Sequence, residues 1–194
     1  MIQKILEIPI IYNWSQRIVS LNKEVNGKWL KEVMNPDDGD FILDLGCGTG
    51  RYAQLFSGHY FGVDINKEYI RYAREGHKGE FLLMDAATLT FPDNMFDYVF
   101  SVGLFHHIDD KKVSLVLQEA ERVCKPEGKI VILEPILPIN RFNLPGYIFC
   151  KLDRGKFIRS LENFSKIFSA NSSKNLRYSR KKHFFLEIGF FVLE

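Results

Sequence analysis

Three glycines at alternate positions, Gly46, Gly48 and Gly50, follow the apolar run FILDL and precede the resumed apolar pattern of RYAQLF. A backbone without side chains lets a ligand approach the main chain without meeting a Cβ, and it tolerates positive φ. Between a strand and a helix start, such a loop cradles a small molecule at the carboxyl end of the strand. A tight structural turn is the alternative. The run Gly46-Cys47-Gly48-Thr49-Gly50-Arg51 departs from the dinucleotide fingerprint, because Arg51 stands where that motif needs its third small residue. No Gly-Lys-Ser/Thr closes a phosphate loop either.

Three acids accompany the glycines. Asp44 lies two residues before them, Asp64 ends a second apolar run twenty residues on, and Asp85 ends a third. On one rim of a parallel sheet, an acid after the second strand accepts hydrogen bonds from ribose hydroxyls. An acid after the third is placed to accept from an adenine amine, although MDAATLTFPDN also has the composition of a plain turn. Asp44 is placed to balance a cationic group near the loop. The set describes an adenosine-type ligand without phosphates and with positive charge. His106 and His107 follow the fourth apolar run, where a group titrating near neutral pH is a candidate proton acceptor. Holding the loop by hydrogen bonds is the other reading, above all for His106.

These residues need elements to carry them. Apolar positions from Ser15 to Met34 have helical spacing, stopped by Asn35-Pro36. FILDL, YFGVDI (60–65), GEFLLMDA, FDYVFSVG (96–103) and KIVILEP (129–135) read as strands. RYAQLF reads as a helix start, NKEYIRYAREG as a helix capped by Asn66, and Val113 to Cys124 as one face of another, with Asp109-Asp110 as its cap. Strands alternating with helices over short connections predict a parallel sheet covered on both faces. After Pro135 the alternation fails over 136–159, a length of connection that is usually functional or partly extra helix. Ser160 then caps a helix through Leu161, Phe164 and Phe168, and LRYSRKKHFFLEIGFFVLE reads as two strands turned near Glu187 to Gly189.

The 194 residues suit one domain, and a net charge of +2 excludes a strong overall field toward nucleic acid or membrane. Cys47, Cys124 and Cys150 have no paired spacing, which fits a reducing, cytoplasmic setting. The apolar IPII near the start, broken by Pro9, is too short for a membrane span and poor as a signal peptide. No cluster has metal-ligand spacing.

Taken together, LDLGCGTG, FGVDIN, LLMDA, FDYVFSVGLFHHI and VLQEAERVCKPEGKIVILEP resemble class I S-adenosylmethionine-dependent methyltransferases, in the group of ubiquinone and menaquinone methyltransferase-like proteins. The resemblance covers about residues 38–135. It implies a doubly wound, Rossmann-like α/β fold with a seven-stranded, mostly parallel sheet of order 3-2-1-4-5-7-6, strand seven antiparallel. It divides the domain into an N-terminal helical cap (1–36), a cofactor-binding core (37–135), and a substrate lid with a C-terminal helix and hairpin (136–194). The cofactor, S-adenosylmethionine, is expected over Gly46, Gly48 and Gly50 near Asp44, with Cys47 in the same loop packing beneath it. Its ribose is expected on Asp64, its adenine on Ile65 with its amine near Asp85 and Ala86, and its methyl sulfonium near Val102 and Gly103. Tyr12, in IYNWSQRI, is the candidate aromatic closing over it, with Trp14 in the core.

The expected reaction is methyl transfer to a small-molecule acceptor. Its alternatives are an RNA or ribosome methyltransferase, a cofactor-binding regulator without turnover, and an oxidoreductase. Within 136–159, Phe142, Tyr147, Ile148 and Phe149 would supply an apolar wall, and Arg141, Arg154 and Arg159 would meet an anionic group, unless the segment merely covers the sheet edge. The basic stretch Arg177, Arg180, Lys181, Lys182 and His183 reads as a solvated face.

Overall fold

The computed structural model describes residues 23–153 and 155–194; Tyr12, Trp14, Arg154 and most of the expected N-terminal cap lie outside them. A seven-stranded sheet of order β3-β2-β1-β4-β5-β7-β6 runs through the molecule. Its strands are β1 (Phe41–Leu45), β2 (His59–Asp64), β3 (Glu80–Leu83), β4 (Phe96–Val102), β5 (Cys124–Pro135), β6 (Leu176–His183) and β7 (Leu186–Leu193). The first five pair in parallel, whereas β7 runs antiparallel to both β5 and β6. The helices are α1 (Lys23–Met34), α2 (Lys67–Gly76), α3 (Asp110–Val123), α4 (Leu144–Leu152) and α5 (Leu161–Ala170).

Successive residues of a strand face opposite sides of a sheet, and the strands use both. Leu43, Phe61, Val99, Ile130 and Ile132 face α3 and α5 in one core. Ile42, Tyr60, Phe81, Phe100, Val131 and Leu133 join a second core that includes Leu30 and Met34 of α1 and Ile70 and Ala73 of α2. The apolar runs lack clean alternation because both faces are covered.

Local signals set most helix ends. Asn66 accepts from the backbone N–H of Glu68 and Tyr69, Asp109 from that of Lys112 and Ser160 from that of Asn163, as capping requires. Asn35 ends α1 in the left-handed region at φ 46°. Four expectations shift. RYAQLF makes only a short 3₁₀ turn, Ala53–Leu55. β5 begins at Cys124, directly after α3, so Pro126 and Gly128 lie inside it. β3 ends at Leu83, leaving Asp85 in the turn beyond it. The hairpin turns at Phe184-Phe185, Phe184 having φ 54°, and Glu187 to Gly189 are residues of β7, Ile188 and Gly189 paired with β5 and Glu187 with Lys182 of β6.

The aromatic centre of the first core holds the C-terminal elements on the parallel sheet. Phe168 of α5 meets Phe105 and Phe191 edge-on, at centroid distances of 5.2 and 4.9 Å, and is fully buried. Phe168→Ala should cost about 3–5 kcal/mol, read as a lowered denaturant midpoint at unchanged slope.

Candidate functional site

Parallel strands deliver their carboxyl ends to one rim, and the loops after β1, β2, β4 and β5 meet there. Two cavities open on this rim. One, of about 170 Å³, is lined by Asp44, Thr49, Arg51, Gly103, His107 and Glu134 among others, with α4 and β7 on its far side. The other, of about 70 Å³, is lined by Asp64, Ile65, Met84, Asp85, Ala86 and Leu104. Gly46 borders both.

The glycine loop is held from beneath. The N–H groups of Gly46 and Cys47 both donate to Val63 O, at 2.8 and 2.9 Å, and that of Gly48 donates to Asp64 Oδ2 at 2.9 Å. Asp64 Oδ1 accepts from Asn66 N at 2.8 Å. Burial raises the Asp64 pKa against the pull of these backbone donors. A carboxylate has about four acceptor directions, so these backbone donors do not exhaust it. All three loop glycines have positive φ. At Gly50 the demand comes from the protein itself, since a Cβ there would lie 2.7 Å from the Phe81 ring and 3.1 Å from Ala73. That glycine is bare for packing, and the ligand-access argument does not apply to it. Gly103 is the opposite case, because a Cβ would meet only His106 Cε1, at 3.4 Å, and otherwise point into free space.

Asp44 is buried and accepts a 2.5 Å hydrogen bond from the Tyr60 hydroxyl. Burial pushes its pKa up to about 7, opposed by that hydrogen bond and assisted by the charge of Asp64. Cys47 packs under the loop against Gly62 and is buried; burial, then Asp44 and Asp64, hold its thiol neutral. Asp85 carries a salt bridge of 2.7 Å to Lys112 and accepts from Ala87 N at 3.0 Å, a turn-forming role beside the smaller cavity. Its pKa is lowered, the Lys112 hydrogen bond and charge outweighing burial. Ile65 is exposed at the edge of this cavity, and Val102 borders the larger one.

The two histidines separate in kind. His106 is buried between two carboxylates, Nδ1 at 2.7 Å from Glu134 Oε2 and Nε2 at 3.4 Å from Asp153 Oδ1. Burial alone would lower its pKa, but Glu134 and Asp153 lift it to about 9. With both ring nitrogens engaged by carboxylates inside the protein, His106 has no lone pair to offer an acceptor's proton and serves to hold the loop. His107 is exposed and lines the larger cavity, its ring 4.0 Å from that of His106.

Several site residues escaped the sequence patterns. Glu134, fully buried, accepts from the backbone N–H of Leu104, Phe105 and His106 at 2.8, 2.7 and 3.2 Å. A carboxylate inside the apolar run KIVILEP was the available signal. Asn26 of α1 borders the cavity with its Oδ1 buried and lacking a hydrogen-bond partner among the described residues. Asp153, at the end of α4, had no signal at all. Arg159 does not face a ligand. Its guanidinium donates to Phe105 O, Ile108 O and Phe157 O and pairs with Asp110, riveting the loop after β4 to the chain before α5.

Residues 43–132 match the family model described as a methyltransferase domain. A demethylmenaquinone methyltransferase of Lactobacillus johnsonii is 31% identical over 177 residues, 82% of this chain and 68% of that protein. The chain belongs to the class I S-adenosylmethionine-dependent methyltransferases. Another demethylmenaquinone methyltransferase, from Thermotoga maritima, is 32% identical over 155 residues, 77% of this chain. The chain covers 61% of that relative's length. A Pyrococcus horikoshii crystal structure, 23% identical, shares the fold at a TM-score of 0.70, covering 93% of this chain and 90% of its own.

The methyltransferase cofactor, S-adenosylmethionine, fits what the rim offers. Asp64 stands beside the smaller, mostly apolar cavity, and Asp44 and Asn26, whose Oδ1 has no hydrogen-bond partner among the described residues, border the adjoining one; these are acceptors of the kind that ribose hydroxyls and an amino group need.

His106 makes the site's integrity pH-dependent. Its folded pKa lies above the unfolded 6.5, so its stabilisation is complete below about 6.5 and is lost as pH rises through about 9. The stability gap between the protein and His106→Gln should shrink by roughly 2–4 kcal/mol across that window, measured by denaturant unfolding at each pH. A gap of constant size would mean that the ring is uncharged.

Proposed function

We propose that this methyltransferase-family chain transfers a methyl group from S-adenosylmethionine to a small acceptor with an apolar body. The observation that carries the proposal is the meeting of the two cavities at Gly46. A nucleoside in the smaller one places its 5′ substituent at the entrance of the larger one. Asp64 would hold the ribose, with Ile65, Asp85 and Ala86 around the adenine. Gly46, Gly48, Asn26, Asp44 and Arg51 would hold the amino acid end. When bound, the cofactor supplies a sulfonium-activated methyl carbon and leaves as S-adenosylhomocysteine.

The chain's own residues then do three things. Glu134 fixes the backbone from Leu104 to His106 and so presents Gly103 and His107 to the cavity. Phe149, Ile136, Pro138 and Ile188 line the acceptor side with apolar surface, which excludes water and orients a flat or aliphatic body. His107 stands where it can take the proton of an acceptor hydroxyl, which transfer to oxygen or carbon of a phenol-like ring would release. Demethylmenaquinone, which the relatives' names specify as methyl acceptor, has such a body and is the first acceptor to assay.

Calorimetry should show the cofactor and its demethylated product binding with micromolar-range affinity, and Asp64→Ala should weaken both by about 1–3 kcal/mol. Unchanged affinity in the folded variant would place the ribose elsewhere. With an acceptor in hand, His107→Ala should lower kcat by roughly 10²–10⁴-fold while cofactor affinity stays the same. Turnover at the wild-type rate would leave alignment alone as the source of catalysis.

A further inference from the structure

Helix α4 has two apolar faces. Through Gly146, Phe149, Cys150 and Asp153 it lines the larger cavity. Leu144, Ile148 and Leu152, at four-residue spacing, form a single row on the opposite face and are 64%, 57% and 79% exposed. Phe142 and Ile139, just before the helix, and Phe184, at the β6–β7 turn, are exposed to a similar degree. The turn abuts the start of α4, because Asn143 Nδ2 donates to Phe185 O at 2.8 Å and the Phe149 and Phe185 rings lie 6.3 Å apart. A contiguous run of large apolar side chains on one rim of a cavity marks an interaction surface.

The charge around this surface is one-sided. The described residues of 136–159 and 180–186 include seven Lys and Arg (Arg141, Lys151, Lys156, Arg159, Arg180, Lys181 and Lys182) but only one acid, Asp153. The rest of the chain is correspondingly net negative. Asp153 is committed to His106. Arg159 and Arg180 serve internal pairs with Asp110 and Glu187, while Arg141, Lys151, Lys156 and Lys182 are exposed. A second copy of the chain would bring one basic face against another, which like-charge repulsion opposes.

We propose that this face docks on an anionic lipid bilayer, with α4 lying in the plane of the headgroups. Its outer row and Phe184 would enter the interface, while the surrounding cations meet lipid phosphates. The larger cavity, one α-helix away, would then open beside the bilayer. The inference rests on surface chemistry and not on the acceptor or on turnover.

Flotation of the full chain with vesicles tests it without an activity assay. Vesicles containing phosphatidylglycerol should carry the protein, and pure phosphatidylcholine vesicles should bind about tenfold less or weaker, as should the anionic ones near 0.5 M salt. Ile148→Ser/Leu152→Ser should lower binding to anionic vesicles by about tenfold or more, with cofactor affinity retained as proof of folding. Lys151→Glu/Lys182→Glu, which leaves the apolar row intact, should weaken it in the same direction. Absence of binding to anionic vesicles, equal binding to neutral ones, or indifference to both double variants would overturn the proposal. So would a concentration-dependent dimer, seen by sedimentation velocity, that Ile148→Ser/Leu152→Ser abolishes, because the face would then belong to a second copy.

Discussion

Glu134 ends the apolar face of β5 with its carboxylate entirely withdrawn from solvent. A charge in that position is tolerable only if donors surround it. The backbone supplies three from consecutive residues and His106 a fourth. That one requirement sets the path of the chain after β4. It turns Gly103 toward the cavity, sends His106 inward and leaves His107 outward. Because the His106 ring also reaches Asp153, the same carboxylate ties α4 to the sheet through a charged bridge. The wall of the larger cavity thus hangs on this ion network, which also holds Leu104 at the edge of the smaller one.

The smaller cavity beside Asp64 is held differently. Its geometry comes from main-chain hydrogen bonds between the loop after β1 and the end of β2, with Asp64 in both the scaffold and the crevice. This half is built from main-chain hydrogen bonds. The far wall of the larger cavity is built from α4, β7 and the turn at Phe184-Phe185, which are late elements of the chain. Such a division lets one fold serve many acceptors, which is why fold kinship by itself says so little about them. It also puts the exposed apolar row on the element that walls the larger cavity.

A net charge of +2 conceals a separation of charge between the segments around α4 and the β6–β7 turn and the remainder of the chain. Composition averages over that separation, and only the placement of α4 beside the β6–β7 turn assembles it into a face. β6, the basic edge strand, gains a second benefit, since lysine and arginine on a sheet edge discourage pairing with other chains.

What the sequence determined by itself is what depends on neighbours a few positions away. The strands, the caps at Asn66, Asp109 and Ser160, the glycine loop and the acid that ends β2 all follow from short-range pattern, and so does the order of elements that defines the family. The hairpin was legible as two strands but its turn was not, because Phe184 has no turn signature and is forced to positive φ by the pairing on either side. Tertiary structure alone decided why Gly50 is bare, since the ring that excludes a Cβ belongs to Phe81 of another strand. It decided that His106 is a clamp and Arg159 a rivet, because their partners, Glu134, Asp153, Asp110 and the carbonyls after β4, come from distant parts of the chain. A residue's charge and shape can be read from its letter, but its role is set by which unsatisfied groups the fold brings against it.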